Sequence, residues 1–233
     1  MQLHHLPFRV SDAAGNMAVD FLLLQRYPHD DAARFRHYGW RRPSSSFGYA
    51  QKIAFVRAHL PVDEPLDLVR RASGGGIVDH RDDWTYALVI PRGHPLFDRP
   101  GPHIYHVVHD ALAAALHACG ADVALQREPP DSAPGVCFER PELDDIVRAD
   151  DGRKVAGAAL KRNKRGVLLQ GSVSRAAAGA DTVAWDDLED AVADCFARAL
   201  ECECSRPGWP EFDPEEEEAL VAQYADPEWT GLR

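Results

Sequence analysis

Apolar positions along the chain follow two periods. Residues 16–27 (NMAVDFLLLQRY) place apolar side chains at helical spacing, with Asn16 as the expected N-cap. A second helical pattern covers residues 105–119 and stops at Gly120. A third covers residues 186–204. Between them lie shorter segments with strand character. Residues 34–40 and 46–50 flank the turn Arg41-Arg42-Pro43, and residues 69–76 run into a triple glycine. Residues 86–90 (YALVI) form an apolar run ended by Pro91. Residues 123–126, the Cys137-Phe138 segment, and residues 144–147, 155–160 and 167–173 complete the set, with residues 129–135 as a loop. A basic turn at residues 162–166 joins the last two strands. Three helices interleaved with seven or more strands predict an α+β domain, a mixed β-sheet flanked by helices, rather than a doubly wound parallel sheet.

Composition narrows the class. A chain of 233 residues with 45% hydrophobic and 27% charged residues can bury a core without disulfides or metals, and is neither disordered, collagen-like nor coiled coil. No apolar run approaches the roughly 20 residues of a membrane span. The opening MQLHHLPFRV has no basic-then-apolar leader pattern, so the expected setting is the cytoplasm, with no membrane partner. The cysteines (Cys119, Cys137, Cys195, Cys202 and Cys204) are odd in number and scattered, as expected of reduced thiols. We expect a monomer.

The net charge of −11 argues against nucleic-acid binding. It is unevenly spread. Residues 181–233 hold 16 acids and 3 bases, ending in the run Glu215 to Glu218. One stretch is basic, with Arg153, Lys154, Lys161, Arg162, Lys164 and Arg165. It reads either as a solvated hairpin or as a docking face for an acidic partner or anionic ligand.

Three places could carry chemistry. Arg70-Arg71-Ala72-Ser73-Gly74-Gly75-Gly76 strips side chains from one patch of backbone, so that amides can approach a ligand, and sets two forked cations beside it. It matches neither a Walker loop nor a dinucleotide fingerprint, and a flexible turn is its plainer reading. Lys154, among the small residues of Gly152-Arg153-Lys154-Val155-Ala156-Gly157-Ala158, has room for a ligand and could stabilise developing negative charge; the plainer reading is a snorkelling surface lysine. Cys137 is either inert core or a nucleophile whose thiolate a nearby cation favours. His103, His106, His109 and His117 read as a histidine-rich surface helix, and no metal site is expected. Trp40, Trp84 and Trp185 read as packing residues.

Taken in order, these motifs resemble the biotin/lipoate protein ligase superfamily, in its branch of lipoate ligases and cysteine-dependent octanoyltransferases. The resemblance runs through Asn16-Met17-Ala18-Val19-Asp20, His37-Tyr38-Gly39-Trp40, residues 43–51 (PSSSFGYAQ), residues 70–80 (RRASGGGIVDH), residues 152–158 and Leu168-Leu169-Gln170-Gly171-Ser172. It implies the class II synthetase-like fold of that family over residues 1–205, with residues 206–233 as an acidic extension packed on or trailing the domain. It implies an acyl pocket lined by Arg71, Ser73, Gly74, Gly75, Gly76 and His80, with Gly157 and Ala158 leaving space, bordered by Trp40. Lys154 matches the lysine that contacts the acyl carbonyl, and Cys137 the transferase nucleophile.

The implied activity is transfer of an octanoyl or lipoyl group from acyl carrier protein, through a Cys137 thioester, to a lysine of a lipoyl-domain protein such as glycine cleavage H protein or a 2-oxoacid dehydrogenase subunit. That route requires no cofactor. The alternatives are an ATP- and Mg2+-dependent ligase acting on free octanoate or lipoate, a non-catalytic acyl-binding relic and, on weaker motif agreement, a biotin ligase. The sequence departs from the family at Phe21, where an acid follows Asp20 in relatives. It departs at Leu169, where a histidine near the acyl carbonyl is common, and at Arg81-Asp82-Asp83-Trp84.

Overall fold

The computed structural model describes residues 1–29, 31–61, 65–128 and 141–232. The chain opens with β1 (Gln2–His5), β2 (Arg9–Ser11) and α1 (Ala13–Gln25). β3 (Ala33–Trp40), β4 (Ser44–Phe47), α2 (Ile53–Ala58), β5 (Asp67–Arg70), β6 (Ile77–Asp79) and β7 (Asp83–Pro91) follow. Next come α3 (Gly101–Ala118), β8 (Val123–Leu125), β9 (Ile146–Arg148), β10 (Lys154–Arg162) and β11 (Gly166–Ser174). The chain then forms α4 (Arg175–Ala178), α5 (Trp185–Ala199), β12 (Glu203–Ser205), α6 (Pro214–Ala225) and α7 (Pro227–Thr230).

The large sheet has the order β12-β1-β3-β7-β11-β10-β9-β8, with β2 also paired to β3; β5-β4-β6 form a second, small sheet. Pairing is parallel at β12-β1-β3 and antiparallel from β3 through β8, so the sheet is mixed. The period of two then sorts side chains onto its faces. Phe35, Leu88, Leu169 and Leu160 lie side by side across four strands. The first three join the main core with Ile104, Val108 and Leu112 of α3 and Val192 and Phe196 of α5, and Leu160 packs against it. On the opposite face, Val19, Leu23 and Leu24 of α1 cover Tyr38, Val89 and Leu168.

Several boundaries differ from the sequence expectation for physical reasons. Asp12, not Asn16, caps α1, its carboxylate accepting from the Gly15 N–H at 2.8 Å. Asn16 is buried within the helix and its side-chain amide donates to the Gly39 carbonyl at 3.0 Å, tying α1 to β3. The strand expected over residues 69–76 ends at Arg70, and the glycine run is the loop between β5 and β6. The third helix stops at Ala199, where Glu201 turns left-handed (φ 51°) and sends the chain back as β12 beside β1.

The acidic C-terminal segment packs against the rest of the chain. The Asp213 side chain caps α6 and accepts from Glu215 and Glu216, while the first-turn glutamates complement the helix dipole. Tyr224, Leu220 and Val221 of α6 close on Met17, Ala18 and Phe21 of α1. At α7 the Trp229 indole donates to the Arg70 carbonyl at 3.0 Å, and Arg70 donates back to the Trp229 and Thr230 carbonyls.

Candidate active site

A pocket lies between the α1-side face of the large sheet and the small sheet with its glycine loop. Strand register builds one wall. Tyr38, Thr85, Ser172 and Gly157 stand side by side on β3, β7, β11 and β10, and all four line the pocket. Gly75, Gly76 and Val78 close it from the small sheet.

The glycine loop is held from inside. Arg71 donates to the Gly74 and Gly76 carbonyls, each at 2.9 Å, and to the Ser46 hydroxyl at 2.7 Å. Gly75 has φ 84°, a conformation that favours glycine. A Cβ on Gly48 would stand 2.0 Å from the Gly75 carbonyl oxygen, so that position admits no side chain. The two arginines do not act as a pair. Arg71 lines the pocket, whereas Arg70 turns away and donates to the carbonyls of Tyr49 and Gln51 as well as to α7.

Two buried polar chains brace the walls. In the first, the Ser73 hydroxyl donates to Gln170 Oε1 (2.6 Å) and Gln170 Nε2 donates to Asp20 Oδ2 (2.7 Å). Asp20 in turn pairs with Arg36 at 2.6 Å and accepts from the Tyr38 hydroxyl. Burial first, and then the Asp20 charge, raise the Tyr38 phenol well above its ordinary range, so it remains a donor. This accounts for Asp20 and Gln170 together, because one amide reads a hydroxyl on one side and a carboxylate on the other.

In the second chain, His80 Nδ1 meets Asp83 Oδ2 at 2.7 Å and Nε2 meets the Ser46 hydroxyl at 2.6 Å. With the ring N–H given to the carboxylate, Nε2 accepts from Ser46, whose own lone pair takes the Arg71 donor. Ser172 and Thr85 also donate to Asp83. Trp40 stacks on His80 with ring centres 4.0 Å apart and lines the pocket, so it serves the site as well as the packing.

Lys154 is buried rather than snorkelling. Its Nζ lies 2.6 Å from Asp145 Oδ2 and its side chain lines the pocket. A Cβ on Gly157 would come within 2.8 Å of Lys154 Cε and 3.0 Å of Asp145 Oδ1, so the glycine makes room for the ion pair. Ala158 lines the same wall. Of the expected site residues, Arg71, Gly75, Gly76, His80, Lys154, Gly157 and Ala158 meet in one pocket; Ser73 stands behind it on Gln170 and Gly74 in the loop. Cys137 lies outside the described residues. Sequence reasoning missed Ser46, Asp83 and Asp145 as site residues, and did not give Asp20 a partner.

The departures have structural explanations. Leu169 is fully buried in the core on the α3 side and does not line the pocket, whereas its neighbours Gln170 and Ser172 do. Phe21 packs in the α1–α6 cluster, and Asp20 supplies the buried acid. In the altered run after His80, Asp83 supports the imidazole and Trp84 enters the main core.

The histidine helix is not wholly a surface feature. His109 is fully buried, its Nδ1 bonded to the Asp144 carbonyl at 2.7 Å, and burial lowers its pKa to about 4. Burial pushes the thiols of Cys119, Cys202 and Cys204 up, as befits inert thiols. The basic stretch divides, with Lys154 in the pocket and Lys161, Arg162, Lys164 and Arg165 at the far end of β10. Among the described residues no group of three or more His, Cys, Asp or Glu side chains is arranged to hold a metal, and no helix is long and apolar enough to cross a membrane.

Residues 12–185 match the family model of the lipoyl protein ligase A/B catalytic domain. The chain belongs to this family. Curated relatives include octanoyltransferase LipM of Moorella thermoacetica, 36% identical over 169 residues, and that of Oceanobacillus iheyensis, 33% identical over 162 residues. These alignments cover 69% and 68% of this chain, and the chain spans 60% and 58% of the two relatives' lengths. The fold agrees with solved lipoate-protein ligases. A lipoate-protein ligase A bound with ATP superposes with a TM-score of 0.72 at 19% identity, each chain fully covered. A chain from the structural analysis of the bi-partite lipoate protein ligase and its E2 lipoyl domain from Thermoplasma acidophilum gives 0.73 at 19%, covering 100% of this chain and 98% of that one. The mixed-sheet α+β expectation is thereby met, and the pocket just described lies within the family's domain.

Proposed function

We propose that this protein is a cytoplasmic acyltransferase of lipoate metabolism. It takes an octanoyl group from acyl carrier protein onto Cys137 and passes it to a lysine of a lipoyl-domain acceptor. The observation that carries the reading is Lys154, a buried cation fixed at the wall of a pocket in this family's fold. The relatives named octanoyltransferase add support.

In the first step the Cys137 thiolate attacks the carbonyl carbon of the carrier-bound thioester. The carbon–sulfur bond to the carrier breaks and its sulfur leaves as a thiolate, which takes a proton from solvent. In the second, the neutral ε-amine of the acceptor lysine attacks the enzyme thioester, the Cys137 thiolate leaves, and the nitrogen gives one proton to solvent as the amide forms. Negative charge gathers on the carbonyl oxygen in both steps, where a fixed ammonium in a low-dielectric wall stabilises it most. Exchange between thioesters is nearly neutral in free energy, so this route consumes no ATP.

Intact-protein mass after incubation with octanoyl-carrier protein, without ATP, tests the reading in wild type and Cys137→Ala. A hydroxylamine-labile octanoyl adduct on wild type alone is expected. No adduct on either protein would overturn it. Modification of the acceptor only with free octanoate or lipoate, ATP and Mg2+ would then assign the adenylate route. A fatty acid retained without turnover would assign acyl binding alone.

A further inference from the structure

Lys154 begins β10 at an irregular point. Against β9, the register shifts between Lys154 and Ala156. Such bulges break strict alternation and re-aim a side chain. The described pairing of β9 with β10 ends at Ala156, and Tyr105 of α3 takes over the strand edge beyond it. The Tyr105 hydroxyl accepts from the Ala158 N–H at 3.0 Å and donates to Asp145 Oδ1. Asp145 Oδ2 accepts from the Glu142 N–H at 2.6 Å and holds Lys154 Nζ at the same distance. The side chains of Lys154 and Asp145 are only 6% and 1% exposed, so solvent screens this pair little. Burial, and then Asp145, push the Tyr105 phenol well above its ordinary range, which keeps its proton available for the carboxylate.

From this geometry we infer that Asp145 and Tyr105 are positioning residues for Lys154, fixing its place and the direction from which its ammonium faces an acyl carbonyl. The role in catalysis rests on the acyl-transfer reading; the hold on the lysine does not. A buried ammonium that loses a carboxylate beside it holds its proton less firmly. Asp145→Asn removes the charge but keeps the shape. Tyr105→Phe removes one hydroxyl and leaves the ring in place.

Two readouts on the full chain separate the possibilities. In transfer assays Asp145→Asn is expected to lower kcat about 30-fold with KM within about twofold. Tyr105→Phe should cost less. Asp145→Asn combined with Lys154→Ala should be no worse than Lys154→Ala alone, as for groups acting as one unit. The second readout needs no turnover: peptide-mapped acetylation of Lys154 by acetic anhydride near neutral pH. Loss of the carboxylate disfavours the ammonium form and frees Nζ, so Asp145→Asn should label about tenfold faster than wild type. Equal labelling in both proteins overturns the positioning role, whatever the transfer assay gives. Persistent contrast in labelling with an inert wild type upholds the hold on Lys154 and overturns the transfer reading instead.

Discussion

Gly157 illustrates how one missing side chain sets the chemistry of the pocket. The atoms an added Cβ would strike are the flexible end of Lys154, at 2.8 and 2.9 Å, and the Asp145 carboxylate. Gly171 faces a different obstacle, the rigid Tyr86 ring at 2.2 Å. Gly157→Ala should therefore displace the lysine and leave the fold, lowering transfer by about 30-fold while costing roughly 1 kcal/mol of stability. Gly171→Ala should instead cost about 3 kcal/mol, the upper range for overpacking a core. Urea unfolding and transfer rates on both variants check this, and equal stability losses would sink the distinction. The glycines and Lys154 were legible in the sequence because an ordered motif carries them. Asp145 was not, because nothing local ties an aspartate to a lysine nine residues on. Only the β9–β10 pairing brings the two together.

At the scale of elements, α3 does more than cover the sheet. Its Tyr105 reaches the strand edge, and its His109, in ring contact with Tyr105 at 4.0 Å, is sealed beneath it. Burial, outweighing the nearby Asp144 and Asp145, holds the His109 pKa to about 4, below its ordinary 6.5. The folded state thus excludes a proton that the unfolded chain accepts. Above pH 6.5 both states are neutral and the group has no effect. Between pH 6.5 and about 4 the unfolded chain gains the proton and stability falls, by on the order of 3 kcal/mol across the window. His109→Gln should be less stable near pH 7 yet lose less on acidification. A constant difference between the two proteins from pH 7 to 4 would refute the assignment. Helical spacing found α3, but spacing by threes among His103, His106 and His109 could not tell a sealed ring from an exposed one. Leu169 gives the converse lesson, since period-two alternation in β11 already puts Gln170 and Ser172 on one face and Leu169 on the other. The motif comparison overrode that alternation and placed Leu169 at the acyl carbonyl.

On the whole molecule the charge is polarised. The acidic segment is folded onto α1, where Glu216 pairs with Arg26 at 2.7 Å. The end of β10 and the turn to β11 carry Lys161, Arg162, Lys164 and Arg165, and the preceding β7–α3 segment adds Arg92 and Arg99 beside them. The sequence showed the first four as a run; the two others join only because the Arg92 N–H bonds the Arg165 carbonyl and Arg162 reaches the Arg99 carbonyl. A cationic end on a chain of net charge −11 suits an acidic partner domain, and such fields act chiefly on the rate of encounter. Lys164→Glu with Arg165→Glu, both exposed, should lower kcat/KM for carrier-borne octanoate about tenfold at low salt. The loss should shrink toward roughly 0.15 M salt, where screening sets in within about 8 Å. Transfer from a small octanoyl thioester that lacks the carrier should be unchanged, because the pocket walls built on Lys154, Gly157 and His80 lie outside the turn. Unchanged rates with the carrier at low salt would remove the basic end from substrate recognition. An equal loss with both donors would trace the defect to the β10–β11 hairpin itself, whose other end carries Lys154 into the pocket.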